Sequence, residues 1–236
     1  MQLRRMVAET IGTALLLAAV VGSGIMGERL AGGNVAIALL ANTLATGAML
    51  VTLILTFGPI SGAHFNPAVT LMDASQGGLP WRDVPGYLAA QVAGAFAGVA
   101  AAHLMFGEPL YSASRHVREG GAQIFSEFVA TFGLLCVIWG CVRLRSSAVP
   151  FAVGAYITGA YWFTASTSFA NPAVTLARSA TDTFAGIRLT DAPGFIVAQL
   201  AGAAAATLLF RWLVPILPHD AAAVVLPHLA AEKEPA

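Results

Sequence analysis

The hexapeptide Asn66-Pro67-Ala68-Val69-Thr70-Leu71 returns letter for letter, 105 residues later, as Asn171-Pro172-Ala173-Val174-Thr175-Leu176. Other markers keep the same order on either side of it. Glu9 matches Glu127 at an offset of 118, and each is followed four positions on by a threonine, Thr13 and Thr131. Gly86, Gln91 and Gly94 match Gly194, Gln199 and Gly202 at an offset of 108. Three ordered matches with similar spacing mark a duplication, and a duplicated unit decides architecture before local preferences do.

The medium in which the two copies fold follows from composition. Of 236 residues, 57% are hydrophobic and 10% charged, with a mean hydropathy of +0.75, against about 25% charged in soluble domains. An ordinary soluble globule and a disordered chain are excluded. Twelve basic residues balance twelve acidic ones, so no net field recruits a polyanion, and nucleic acid is not an expected partner. The expected partner is the lipid bilayer. A bilayer crossing takes roughly 20 apolar residues, and the apolar runs predict helices over residues 6–27, 34–56, 84–106, 122–142, 149–167 and 192–214. Two shorter stretches, 64–75 and 169–180, are too short to cross, and each carries one Asn-Pro pair.

The first run begins behind Arg4 and Arg5 and could pass for a leader peptide. Glu9 inside it, and its likeness to the Glu127 segment, argue for a retained span. With the N-terminus in the cytoplasm, seven basic residues (Arg4, Arg5, Arg82, Arg143, Arg145, Arg211, Lys233) fall inside and five (Arg29, Arg115, Arg118, Arg178, Arg188) outside. That asymmetry favours both termini in the cytoplasm.

Three crossings per copy force the second copy upside down relative to the first. The expected fold is therefore all-α and membrane-integral, with six spans and two half-helices in an inverted repeat. The repeats divide as 1–115 and 116–217, with half-helices at 67–75 and 172–180 and a tail at 218–236. The half-helices should enter from opposite faces and meet near the midplane. Irregular backbone at that depth is tolerated only when it is buried in protein or lines a wet cavity. Small residues four apart (Gly86, Ala90, Gly94, Gly98 and Gly194, Ala198, Gly202, Ala206) suit close helix packing in lipid.

The Asn-Pro pairs have a direct physical reading. Proline suits the first turn of a helix, where its missing N–H costs nothing. Asparagine before it suits the N-cap, its side-chain oxygen taking a free backbone donor. The amide hydrogens of Asn66 and Asn171 are then expected to be free to face a cavity. Each half-helix also aims the positive end of its dipole at the midplane.

One Asn-Pro-Ala is weak evidence, but two copies within an inverted repeat are strong. The chain resembles the aquaporin, or major intrinsic protein, family over nearly its whole length. That resemblance implies six tilted spans, two half-helices and a homotetramer with one pore per subunit, placed in the bacterial inner membrane. It gives Asn66, Pro67, Ala68, Asn171, Pro172 and Ala173 the pore-motif roles, and Glu9 and Glu127 the role of bracing the half-helix loops. His64 sits where the family commonly has a histidine, either bonded to backbone or gating. No cofactor, metal site or catalytic residue is implied.

Measured from the motifs, the four positions that set the family's narrowest passage fall on Thr46, Gly159, Ser168 and Val174. The resemblance leads one to expect aromatic residues and an arginine there. None of the four is aromatic, and Val174 stands at the arginine position. The expectation is a wide, neutral filter, unless Phe169 or Trp162 folds back to narrow it. Arg178 lies one helical turn beyond Val174 and could charge an outer vestibule, while Asp73 holds the matching place in the first copy. Ordinary ion pairs with loops are the rival reading for both. Bacterial relatives associated with arsenic resistance are similar in carrying a hydrophobic residue at the arginine position. The resemblance therefore points to passive flux of water, glycerol-like polyols and metalloid hydroxides such as arsenite, with methylated arsenicals as further cargo.

Two other readings stay open. A narrower water-selective channel needs an aromatic in the passage. An ion-coupled secondary transporter also uses inverted repeats and broken helices, but would need a coupling carboxylate, and Glu9 and Glu127 have structural roles by resemblance. Ser168 and His64 come from opposite segments without an activated-nucleophile pattern, so an enzyme is not expected. Cys136 and Cys141 lie five apart in one apolar run and are expected to be free thiols.

Overall fold

The structure is a computed structural model and describes residues 2–144 and 146–214. The expected tail at 218–236 lies outside the described residues. Within them all regular structure is helical, with no strand. The order is α1 (Gln2–Leu30), α2 (Val35–Ser61), α3 (Pro67–Ser75), α4 (Val84–Phe106), α5 (Gly121–Leu144), α6 (Val149–Phe163), α7 (Pro172–Arg178) and α8 (Ala192–Leu213). The sequence of long, long, short, long occurs twice.

Local chemistry sets the ends. Asn34 caps α2, accepting from the N–H groups of Ala36 and Ile37. Gly62 ends the same helix in the left-handed conformation, φ 88°. Five stretches are long and apolar enough to cross a membrane: α1, α2, α4 with the 3-10 turn before it, α5 and α8. The sixth, α6, has 15 residues, about 22 Å at 1.5 Å per residue. The apolar run predicted a helix to residue 167. It stops at Phe163 because Thr164 is extended and Thr167 and Ser168 take positive φ. Apolar side chains such as Ile11, Leu15, Leu44 and Leu208 are exposed on the outer faces of the bundle, which suits lipid and not water.

Packing repeats as the sequence does. Helix α1 packs on α4 and α5 on α8, while α2 meets α6 across the centre. Gly94 and Gly98 lie against the carbonyls of Thr10 and Ala14, and Gly202 against that of Phe128. Gly47 and Gly154 approach each other's backbone at the α2–α6 crossing. A side chain at any of these sites would push two helices apart.

The short helices α3 and α7 point their N-termini at each other and leave toward opposite ends. The C-terminus of α3 runs into the turn that opens α4. The backbone just past α7 pairs instead with the loop that follows α4, through Ser112 to Ala180 and Ser114 to Ser179. Each short helix also packs on the final helix of the other copy, α3 on α8 and α7 on α4. The two halves are thus interleaved.

Candidate functional site

An elongated cavity runs beside the meeting point of α3 and α7. One wall is apolar, formed by Leu16, Val20, Leu50, Ile54, Leu134, Ile138, Val149, Val153 and Ile157. The other carries the polar groups: His64, Asn66, Ser168 and Asn171, with Thr46, Tyr161 and Arg178 among the lining residues. Such a passage can hold a solute's carbon skeleton on one side and its hydroxyls on the other.

The polar wall is the pair of loops that enter the short helices, and their backbones share an unusual pattern. Gly62, Ala63 and Phe65 have φ of 88°, 49° and 49°; Thr167, Ser168 and Ala170, each 105 positions on, have 60°, 51° and 48°. Five non-glycine residues in the left-handed region are costly unless their surroundings hold them there. A buried carboxyl holds each loop. Glu9 accepts from Ser61 Oγ (2.7 Å), the N–H of His64 (3.0 Å), the N–H of Phe65 (2.7 Å) and Gln91 Nε2 (2.8 Å). Glu127 accepts from the N–H groups of Phe169 and Ala170, both at 2.8 Å, and from Gln199 Nε2 at 2.6 Å. Gln91 and Gln199 each also donate to a threonine on the short helix, Thr70 and Thr175, at 2.8 Å. Intramembrane acids need such partners to be retained.

Asn66 caps α3 by accepting from Ala68 N–H at 2.9 Å, and Asn171 caps α7 by accepting from Ala173 N–H at 3.0 Å. The sequence led one to expect free amides, but each is partly engaged. Asn66 Nδ2 donates to the carbonyl of Ala170 at 2.8 Å, and Asn171 Nδ2 donates to the carbonyl of Phe65 at 2.7 Å. The left-handed loops turn those carbonyls within reach of the opposite asparagine. Each NH2 keeps a second hydrogen, and both asparagines line the cavity.

Thr46, Ser168 and Val174 line the cavity, and Ser168 Oγ is buried without a hydrogen-bond partner. Gly159 does not line it. That residue is exposed, and a Cβ there would meet nothing within 4 Å. The lining residues of α6 are Val149, Val153, Ile157 and Tyr161, spaced by four as one helix face requires. Gly159 lies roughly 200° around from Ile157, because successive helix positions turn by about 100°. Counting back from the motif missed Ile157 and Tyr161, whereas the period of α6 itself would have found them. An aromatic is therefore present: Tyr161 donates its hydroxyl to Thr46 Oγ1 at 3.3 Å. Phe169 also lines the cavity, while Trp162 is half exposed and does not.

Arg178 and Asp73 are both buried, and Arg178 lines the cavity. Arg178 is 1% exposed, its guanidinium carbon 3.4 Å from the centroid of the Phe169 ring and its Nε bonded to the Ala185 carbonyl. Asp73 Oδ2 lies 3.5 Å from His64 Nε2, and His64 Nδ1 lies 3.1 Å from Thr70 Oγ1. His64 and Phe169 are equivalent positions, as are Asp73 and Arg178, so each copy pairs the same two sites with different chemistry. On the far side of Phe169, Arg118 Cζ lies 5.0 Å from the ring, and its Nη1 donates to the Ser166 carbonyl at 3.1 Å. Burial lowers the Arg118 guanidinium to about 10, which leaves it charged at neutral pH.

Comparison with known proteins fixes the class. The family model described as major intrinsic protein matches residues 1–148 and 140–234. The chain belongs to the major intrinsic protein family. It is 60% identical over 211 residues to the aquaglyceroporin AqpS of Rhizobium meliloti (strain 1021), covering 89% of this chain and 90% of that protein. It is 34% identical over 215 residues to the aquaporin NIP1-4 of Oryza sativa subsp. japonica, covering 86% and 74%. The X-ray structure of the aquaglyceroporin from Plasmodium falciparum superposes with a TM-score of 0.72 at 22% identity, over 92% of this chain and 99% of that one. Membership in this family of membrane channels makes the chain a multi-pass channel protein and not an enzyme.

Proposed function

We propose that the cavity is a passive conduit for water and small uncharged hydroxylated solutes, with glycerol-like polyols and metalloid hydroxides such as arsenite as cargo, methylated arsenicals included. The observation that carries this reading is the placement of Asn66 and Asn171 at the junction of α3 and α7, along one wall of a cavity whose other wall is apolar. A polyol crosses such a passage with its hydroxyls toward the asparagines and Ser168 and its C–H face toward Val153, Ile157 and Leu50. In aquaporin-type pores generally, opposed half-helix ends raise a barrier to cations. Val174, at the outer side of the junction, leaves room that a longer side chain would fill. The aquaglyceroporin AqpS, so named, is the relative that supports polyols over water alone. Under this reading the chain works as a homotetramer in a bacterial inner membrane with both termini in the cytoplasm, and Glu9 and Glu127 keep the passage's polar wall in shape.

The test is solute flux in proteoliposomes containing the full chain or Val174→Arg. Wild-type vesicles should equilibrate glycerol and arsenite without saturation and without an ion gradient. Val174→Arg should slow both about tenfold, the effect of a barrier raised by about 1.4 kcal/mol. Equal permeability of the two proteins, or uphill accumulation coupled to protons or sodium, would count against the proposal.

A further inference from the structure

The outer half of the cavity contains a buried cation that the mechanism above leaves unused. Arg178 is 1% exposed yet lines the cavity, four residues beyond Val174 on the same short helix. Its guanidinium sits over the Phe169 ring and its Nε donates to the Ala185 carbonyl. Among the described residues, no hydrogen-bond acceptor meets either Nη nitrogen and no carboxylate forms an ion pair with the group. A guanidinium stays protonated in any protein environment and carries donors fixed in a plane. A buried donor without a partner costs about 1–3 kcal/mol. The group that satisfies these donors must therefore be whatever fills the cavity, water or the oxygen of a passing solute.

We infer that Arg178 is a specificity-determining residue of the conduit, rejecting cations and offering hydrogen bonds to solute oxygens at its outer end. The inference rests on the conduit reading. The outer passage is then not neutral, in spite of Val174: the positive charge has moved one turn along α7 and folded back over Phe169. Arg118 on the other face of that ring adds charge of the same sign, and the nearby Glu127 carboxyl is taken up by the N–H groups of Phe169 and Ala170 and by Gln199 instead of pairing with Arg178. The short side chain of Val174 is what leaves the guanidinium in contact with the lumen. Phe169 acts as the platform that keeps it there.

The experiment uses two planar solutes of the same shape, neutral urea and cationic guanidinium, with proteoliposomes of the full chain, Arg178→Gln and Arg178→Lys. Water permeability is measured in parallel to show that each protein is inserted and open. Wild type and Arg178→Lys should pass urea and exclude guanidinium. Arg178→Gln, whose amide still donates N–H groups to solute oxygens but carries no charge, should raise the guanidinium-to-urea flux ratio about tenfold or more, the size expected when a like charge is removed at close range. Guanidinium still excluded by an open Arg178→Gln overturns the inference, because the half-helix ends alone then provide the barrier. Equal leakage in Arg178→Lys also overturns it, since the effect is then lost packing and not lost charge. A wild type that passes neither urea nor glycerol overturns the conduit reading itself, and this inference with it.

Discussion

The ring of Phe65 lies so close over Gly12 that a methyl group on Gly12 would overlap its edge. In the second copy the same two places are held by Ala170 and Ala130. Each half thus fills the space between its first helix and its loop once, with the bulk on the loop in one half and shared in the other. Gly12→Ala should destabilise the protein by about 1–3 kcal/mol through overpacking. Gly12→Ala with Phe65→Ala, which reproduces the second copy's arrangement, should recover part of that loss. Thermal unfolding of detergent-solubilised protein measures both, and a double variant no better than Gly12→Ala would sink the idea of exchange.

Glu127→Gln tests the bracing of the loop that enters α7. Glu127 accepts three hydrogen bonds, two of them from the backbone of Phe169 and Ala170. An amide can place an oxygen against only one of those N–H groups, and the other then faces a second donor. About 1–3 kcal/mol should be lost for the orphaned donor, and solute flux should fall with it as the Ser168 and Phe169 positions loosen. Unchanged melting and unchanged flux in the variant would show that the loop holds its shape without the carboxylate.

The face of α6 gives a paired prediction. Gly159→Ala should leave water and glycerol permeability as they are and stabilise the exposed helix by up to about 1 kcal/mol. Ile157→Phe should reduce glycerol flux severalfold while water passes, since Ile157 lines the cavity. The reverse pattern in stopped-flow light scattering would put Gly159 back in the passage.

These residues show how far the sequence could be read. The exact repeat, the odd number of crossings and the Asn-Pro pairs were enough for the two meeting half-helices, because each follows from letters and from bilayer chemistry. The bracing role of the buried acids came from the family resemblance, with the duplication marking Glu9 and Glu127 as equivalent positions. Gly159 was not legible, because a count back from the motif ignores the period of α6, which turns Val153, Ile157 and Tyr161 to the cavity and Gly159 away from it. Arg178 was legible as a position but not as a contact. No local pattern reveals that a side chain will turn inward onto Phe169, since that depends on Ala185 and Phe169 meeting in space. The crosswise bonds of Asn66 and Asn171 were equally hidden, because the left-handed residues that offer the carbonyls, Phe65 and Ala170, carry no glycine signal.

On the outer surface, Asp182 joins the loop after α7 to the loop after α4. It accepts from the backbone N–H of Arg115 at 2.9 Å and from its Nε at 2.8 Å. Hydrogen bonds from the Arg115 backbone and then its side chain hold the Asp182 carboxyl below the usual range. A lowered folded-state value means that the contribution to stability is present above the unfolded carboxylate range, near 4, and is lost as pH falls through the folded value. Asp182→Asn should therefore melt slightly below wild type at neutral pH, and the two should converge below about pH 4. A gap that persists or widens in acid would mean that the carboxylate's charge is not what matters.

The crossed amides carry a consequence for origins. Neither half can close its own loop: Asn66 finds its acceptor on Ala170 and Asn171 finds its acceptor on Phe65. A single-copy chain would have to pair with an inverted second copy about a two-fold axis to satisfy the same two groups. Joining both copies in one chain makes that embrace permanent, so the two partners need not stay alike: one holds a histidine beside an acid and the other an arginine upon a phenyl ring.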